Sequence, residues 1–114
     1  MMNALLKLTI RDILDLYEQR KLSPSEYWQV VEQRVAEFEP QVQALYLYDP
    51  EHARKQAAAS TERWARGERQ GVLDGIPVTI KELIATKGQP VPLGTAAVDL
   101  VPAAEDAPVA CLLY

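Results

Sequence analysis

Cysteine and histidine occur once each in this 114-residue chain, as Cys111 and His52. The chain therefore lacks both the partner for an internal disulfide and the clustered ligands of a Cys/His metal site. No cofactor or metal is expected, and the thiol count fits a reducing cytoplasm. Positive charge is also in short supply. Twelve Lys and Arg against 16 Asp and Glu leave a net charge of -4, which argues against direct electrostatic binding of nucleic acid. Long apolar runs are missing, so no membrane span is expected. Leu5, Leu6 and Leu8, interrupted by Lys7, form a cluster too short for the core of an export signal. Serine is scarce as well: Ser23, Ser25 and Ser60 are the full set, and none has the glycine-rich setting that a nucleophile and its oxyanion hole require.

What remains is ordinary globular material, 48% hydrophobic and 25% charged, with clear helical punctuation. Thr9 and Asp12 have the spacing of a capping box ahead of Ile10, Ile13, Leu14 and Tyr17, predicting a first amphipathic helix that is interrupted near Lys21 and Leu22. Ser23-Pro24-Ser25-Glu26 is a stronger start, because serine caps, proline suits the first turn and glutamate reaches back to the cap. It predicts a second helix towards Phe38, with Tyr27, Val30, Val31, Val35 and Phe38 on its apolar face and Pro40 stopping it at Glu39. Ala44 to Tyr48 reads as a brief extended segment. Asp49-Pro50 then opens a third helix to Arg66, closed by Gly67. In that helix the alanines and Trp64 suit packing, while Arg54, Lys55, Glu62 and Arg63 are expected to face water. His52 reads as a surface residue beside the Asp49 cap. Trp28, Trp64, Tyr46 and Tyr48 read as core.

Beyond Gly71 the pattern changes. Ile76 to Ile80 is a β-branched run compatible with a buried strand, and it delivers Lys81 at its end. Glycines and prolines between Lys87 and Ala104 prevent regular structure. Asp106 is placed to cap a last helix with Pro108 in its first turn, and Cys111 beside Val109 and Leu112 reads as a buried thiol. Gly75, Gly88 and Gly94 lack the spacing of a phosphate-binding loop and read as turns.

For Lys81 the residues alone leave two readings. One is a solvated lysine at a strand end, the usual fate of lysine. The other is a general base, which at neutral pH needs a lysine pKa brought down by about 3 units from ~10.4 through burial or a like charge. Ile76, Val78, Ile80, Leu83 and Ile84 would supply apolar walls for that purpose if other parts of a sheet cover them.

Three blocks in order carry a resemblance. Gly75-Ile76-Pro77-Val78-Thr79-Ile80-Lys81-Glu82, Gly88-Gln89-Pro90-Val91-Pro92-Leu93-Gly94-Thr95 and Glu105-Asp106-Ala107-Pro108-Val109 resemble the N-terminal motifs of the amidase signature family of amide hydrolases. Glu82 stands where the family usually has aspartate, and Thr95 where it usually has serine. The resemblance implies an α/β fold in which residues 1–72 form an N-terminal helical segment and residues 73–114 carry the first strands of a mixed sheet, an incomplete amidase signature fold. It implies a serine, cis-serine, lysine triad with Lys81 as the lysine, and a small-molecule amide as substrate. The two serines belong to glycine- and serine-rich segments absent from this sequence, so the 114 residues are expected to be inactive alone. Two further readings stand beside this one. The chain could be an interaction or assembly module that self-associates or binds a complementary C-terminal segment. It could also belong to the A-type subunit of a glutamyl-tRNA amidotransferase.

Overall fold

Thr9 begins the regular architecture, after a short helix α1 (Met2–Leu5). The computed structural model describes residues 2–113. The Thr9 hydroxyl accepts the Asp12 N–H at 3.2 Å and the Asp12 carboxylate accepts the Thr9 N–H at 2.9 Å, closing a capping box at the start of α2 (Ile10–Glu18). Hydrogen bonds from the Thr9 hydroxyl and backbone hold the Asp12 carboxyl below its usual range. The same reciprocal pair forms between Ser23 and Glu26 at the start of α3 (Pro24–Val42). Asp49 accepts the His52 N–H at 2.9 Å to cap α4 (Pro50–Arg66), and Gly67 ends that helix in the left-handed region at φ +72°.

The helix α3 outruns its expected stop. It continues through Pro40 to Val42. Proline removes one N–H and strains the preceding turn, but here it stands close to the C-terminus, where few bonds remain to lose. Glu39 secures the end twice: its carbonyl accepts the Gln43 N–H at 2.9 Å and its carboxylate accepts the Leu45 N–H at 2.7 Å.

The chain divides into two compact units between Pro77 and Val78, inside the first motif block. In the helical unit, Ile13, Tyr17 and Leu22 are buried together, with Leu14, Leu16, Tyr27, Trp64 and Ile76 packed against them. The Tyr17 and Trp64 rings meet edge to face at 5.5 Å. The helices α3 and α4 pack on each other. Thr61 of α4 accepts the Ser25 N–H at 3.0 Å and shares a second hydrogen bond with the Ser25 hydroxyl, while Arg54 forks onto Glu32. Trp28 is buried as expected, but Tyr46 and Tyr48 are exposed rather than core.

Neither expected extended segment forms a strand. Ile76 to Ile80 runs without regular structure, Ala44 to Tyr48 likewise, and the pairing among the described residues amounts to two isolated bridges, Lys87 with Ala103 and Pro90 with Pro102. The α/β expectation of first sheet strands is thus corrected: the described chain is helical, without a sheet. A strand exists only through a paired neighbour, because its N–H and C=O groups point sideways. No segment of the described residues pairs with Ile76–Ile80, and its β-branched composition cannot substitute for a partner. The last helix, α5 (Pro108–Cys111), also departs from expectation. It has no side-chain cap. Asp106 is engaged elsewhere, and Cys111 is exposed because the short helix buries only Ala110.

Candidate active-site segment

Lys81 stands near the end of the first motif block, and hydrogen bonds within the second unit link that end to the second block and the third block to the segment between them. The Glu82 carboxylate accepts the Gly94 N–H at 3.1 Å, joining the end of the first block to the second. The Asp106 carboxylate accepts the Lys87 N–H at 2.7 Å, and the Ala107 N–H donates to the Ala85 carbonyl at 2.8 Å, joining the third block to the segment just after Lys81. Gly88 N–H to Ala103 O and Ala103 N–H to Gln89 O, both 2.9 Å, close the intervening loop. Gly88 and Gly94 turn at φ +80° and +68°, a conformation glycine adopts without steric cost.

Lys81 itself is exposed, and among the described residues no carboxylate pairs with it. Its carbonyl accepts the Ile84 N–H at 2.9 Å, which turns the chain directly behind it. Of the residues expected to wall it, Val78 and Leu83 are about half exposed.

The firmest geometry lies just upstream, in the helical unit, around residues that sequence reasoning left as surface or bystander. Asp74 accepts Ser60 Oγ at 2.7 Å, Arg63 Nε at 2.8 Å, Arg63 Nη2 at 2.6 Å and the Gln70 N–H at 3.0 Å. Burial of the carboxyl would raise its pKa. The hydrogen bonds from Arg63, Ser60 and Gln70 outweigh that and hold it at about 2. Arg63, expected to face water, is therefore committed inward. Ser60 is buried at 2% exposure. Trp64 Nε1 donates to the Asp74 carbonyl and the Tyr17 hydroxyl to the Gly75 carbonyl, each at 3.0 Å. Burial pushes the Tyr17 phenol up, so it stays a donor. Gly75 sits at φ +87°, where an added Cβ would lie 2.7 Å from Pro24 Cγ and 2.9 Å from Ser60 Oγ. The available sequence signal was the Asp-Gly pair at the head of the first motif block.

Comparison with known proteins bears on these motifs directly. The Amidase family model matches residues 28–114, which include all three blocks. The chain belongs to the amidase family. It is 32% identical over 93 residues to the protein named as amidase AmiD of Mycobacterium tuberculosis, covering 82% of this chain and 20% of that protein. It is 37% identical over 87 residues to the A-type subunit of the glutamyl-tRNA(Gln) amidotransferase of Dehalococcoides mccartyi, covering 76% and 18%. To an acylamidase of Rhodococcus erythropolis it is 37% identical over 73 residues, covering 64% and 15%. The chain spans about a fifth or less of the length of these curated relatives. No solved structure matches it. The amidase match begins at Trp28, within α3, and takes in the Ser60, Arg63 and Asp74 cluster as well as Lys81. No helix among the described residues is long and apolar enough to cross a membrane.

Proposed function

We propose that this chain supplies the lysine arm of an amidase, with Lys81 as the base of a serine, cis-serine, lysine triad that hydrolyses a carboxamide to a carboxylate and ammonia or an amine. The observation that carries the reading is the family match over residues 28–114, within which Lys81 follows the Gly-Ile-Pro-Val run, next to last in its block. In that role Lys81 takes a proton through the middle serine while the nucleophilic serine attacks the amide carbonyl. Ser23, Ser25 and Ser60 cannot stand in for those serines. Ser23 caps α3, Ser25 is bonded to Thr61, and Ser60 is bonded to Asp74. The 114 residues alone are therefore inactive in this reading, since nucleophile and oxyanion hole must come from further chain.

The test is a polypeptide in which this chain is continued by the remaining sequence of the mycobacterial relative, assayed for ammonia release from a panel of carboxamides. With Lys81 intact it should turn over; Lys81→Ala should lower kcat by about a thousandfold or more while the circular dichroism and Tm stay unchanged. Turnover retained in Lys81→Ala overturns the assignment. So does a folded Lys81 protein that hydrolyses none of the amides.

A second reading is favoured by the relatives named as A-type subunits of glutamyl-tRNA(Gln) amidotransferases, which match at 37% and 39% identity over 87 residues. In it the amide is glutamine and the released ammonia passes to a partner protein. Glutamine as the sole substrate hydrolysed in the same panel would select it.

A further inference from the structure

We infer that Ser60, Arg63 and Asp74 form a buried anchor that fixes the backbone of Leu73 to Ile76, at the head of the motif block that carries Lys81, making them positioning residues for the lysine chemistry proposed above, on which this inference rests. The cluster is far more specific than the segment it holds would need for packing alone. Four donors converge on one carboxylate whose side chain is 4% exposed. Two more donors, the Trp64 indole and the Tyr17 phenol, take the carbonyls of Asp74 and Gly75 in turn. The Ile76 N–H closes a turn onto the Leu73 carbonyl at 2.9 Å. Gly75 is pressed so closely on Pro24 and Ser60 that no side chain fits. Leu73 to Ile76 thus has its backbone direction set by side chains of α2 and α4. From Pro77 to Ile80, by contrast, the described residues show no hydrogen bond.

A buried ion pair is a poor way to gain stability, because desolvation offsets most of the attraction and apolar residues of similar volume often do as well or better. What a satisfied buried network supplies is a single geometry. Catalytic lysines need that: misplacement by about 1 Å can cost about a hundredfold in rate. The cluster holds the chain at Asp74 and Gly75, and Ile76, packed on the core, is the last such point before Lys81 in sequence.

The experiment separates positioning from stability. In the 114-residue chain, Asp74→Asn and a triple apolar replacement (Ser60→Ala, Arg63→Met, Asp74→Leu) are compared with the parent by amide hydrogen exchange and thermal unfolding. The triple variant should keep its Tm within a few degrees, yet exchange the Gln70 and Ile76 amides about tenfold faster or more, with the α2 amides unchanged. Arg63→Lys, which keeps the charge but loses the fork, should be intermediate and guards against a triple variant that fails to fold. Unchanged exchange at Gln70 and Ile76 in every folded variant overturns the anchor. In the hydrolysing polypeptide described above, the triple variant should lower kcat about tenfold or more with KM unchanged. An unaltered kcat there overturns the positioning role even if Lys81→Ala is dead, whereas turnover in Lys81→Ala overturns the lysine reading and leaves the exchange result standing.

Discussion

Two glycines in the helical unit share a backbone conformation and differ in surroundings, which makes them a controlled pair. A Cβ added at Gly67, φ +72°, would have nothing within 4 Å, whereas one added at Gly75, φ +87°, meets Pro24 and Ser60 below 3 Å. Gly67→Ala should cost only the left-handed penalty, about 1 kcal/mol. Gly75→Ala adds overpacking against a buried proline and a bonded serine, about 2 to 4 kcal/mol in total, and should lower Tm by roughly 10 °C or more in thermal unfolding. Equal losses in the two variants would show that contact at Gly75 does not matter. Asp74 offers a second test at this scale. Its folded pKa of about 2 lies below the ~3.9 of an unfolded aspartate, so the unfolded chain takes up the proton first as pH falls. The stabilisation, about 2 kcal/mol, is present above roughly pH 4 and is lost as pH falls towards 2. Urea unfolding across that range should show the corresponding slope in the parent and a smaller one in Asp74→Asn, where the depressed Asp12 carboxyl still contributes. A parent stability flat through the window counts against the network.

Among the elements, the capping boxes were legible from sequence because everything they need lies within four residues. Thr9 with Asp12 and Ser23 with Glu26 form the predicted reciprocal bonds, and Asp49 with Gly67 bound α4 as read. Ser23→Ala should therefore destabilise by about 1 kcal/mol, while Ser23→Asp should restore most of it, both read from the urea midpoint. If Ser23→Ala is neutral, the tertiary bond from Ser25 to Thr61 alone holds the start of α3. The features that were not legible are the ones that depend on a distant partner. Ile76 to Ile80 has strand composition, but composition specifies a willingness to pair and not the neighbour to pair with. Arg63 looked like a solvent-facing charge because a helical wheel cannot show that Asp74, eleven residues on, folds back beneath it. Asp106 looked like a cap for α5 and instead holds Lys87, since a carboxylate satisfies whichever unpaired N–H the loop brings to it. The motif residues themselves, Lys81 and Gly75 among them, were found by resemblance; what the structure adds is why Gly75 must be glycine.

At the scale of the whole molecule, several large apolar side chains stand in solvent among the described residues. Val72, Leu93, Leu100, Val101, Val109 and Leu112 are each half or more exposed, and the Pro77 to Ile80 backbone has no hydrogen-bonded partner among the described residues. Scattered apolar residues are normal on a surface. A β-branched, unpaired stretch is different, because its free N–H and C=O groups offer a template to any second chain. Fully solvated groups lose little by waiting, so the drive towards association comes from the apolar side chains, at roughly 25 cal/mol per Å² removed from water. We therefore expect the isolated chain to self-associate: in sedimentation velocity its average mass should rise above 12.7 kDa as protein concentration increases. The net charge of -4 opposes contact only weakly at physiological salt, so lowering the ionic strength should shift the equilibrium slightly towards monomer. Val78→Lys, which places a charge on the unpaired stretch, should reduce association without altering the helical circular dichroism. A concentration-independent monomer at 12.7 kDa would mean that the exposed surface is inert, and would remove the assembly-module alternative along with it.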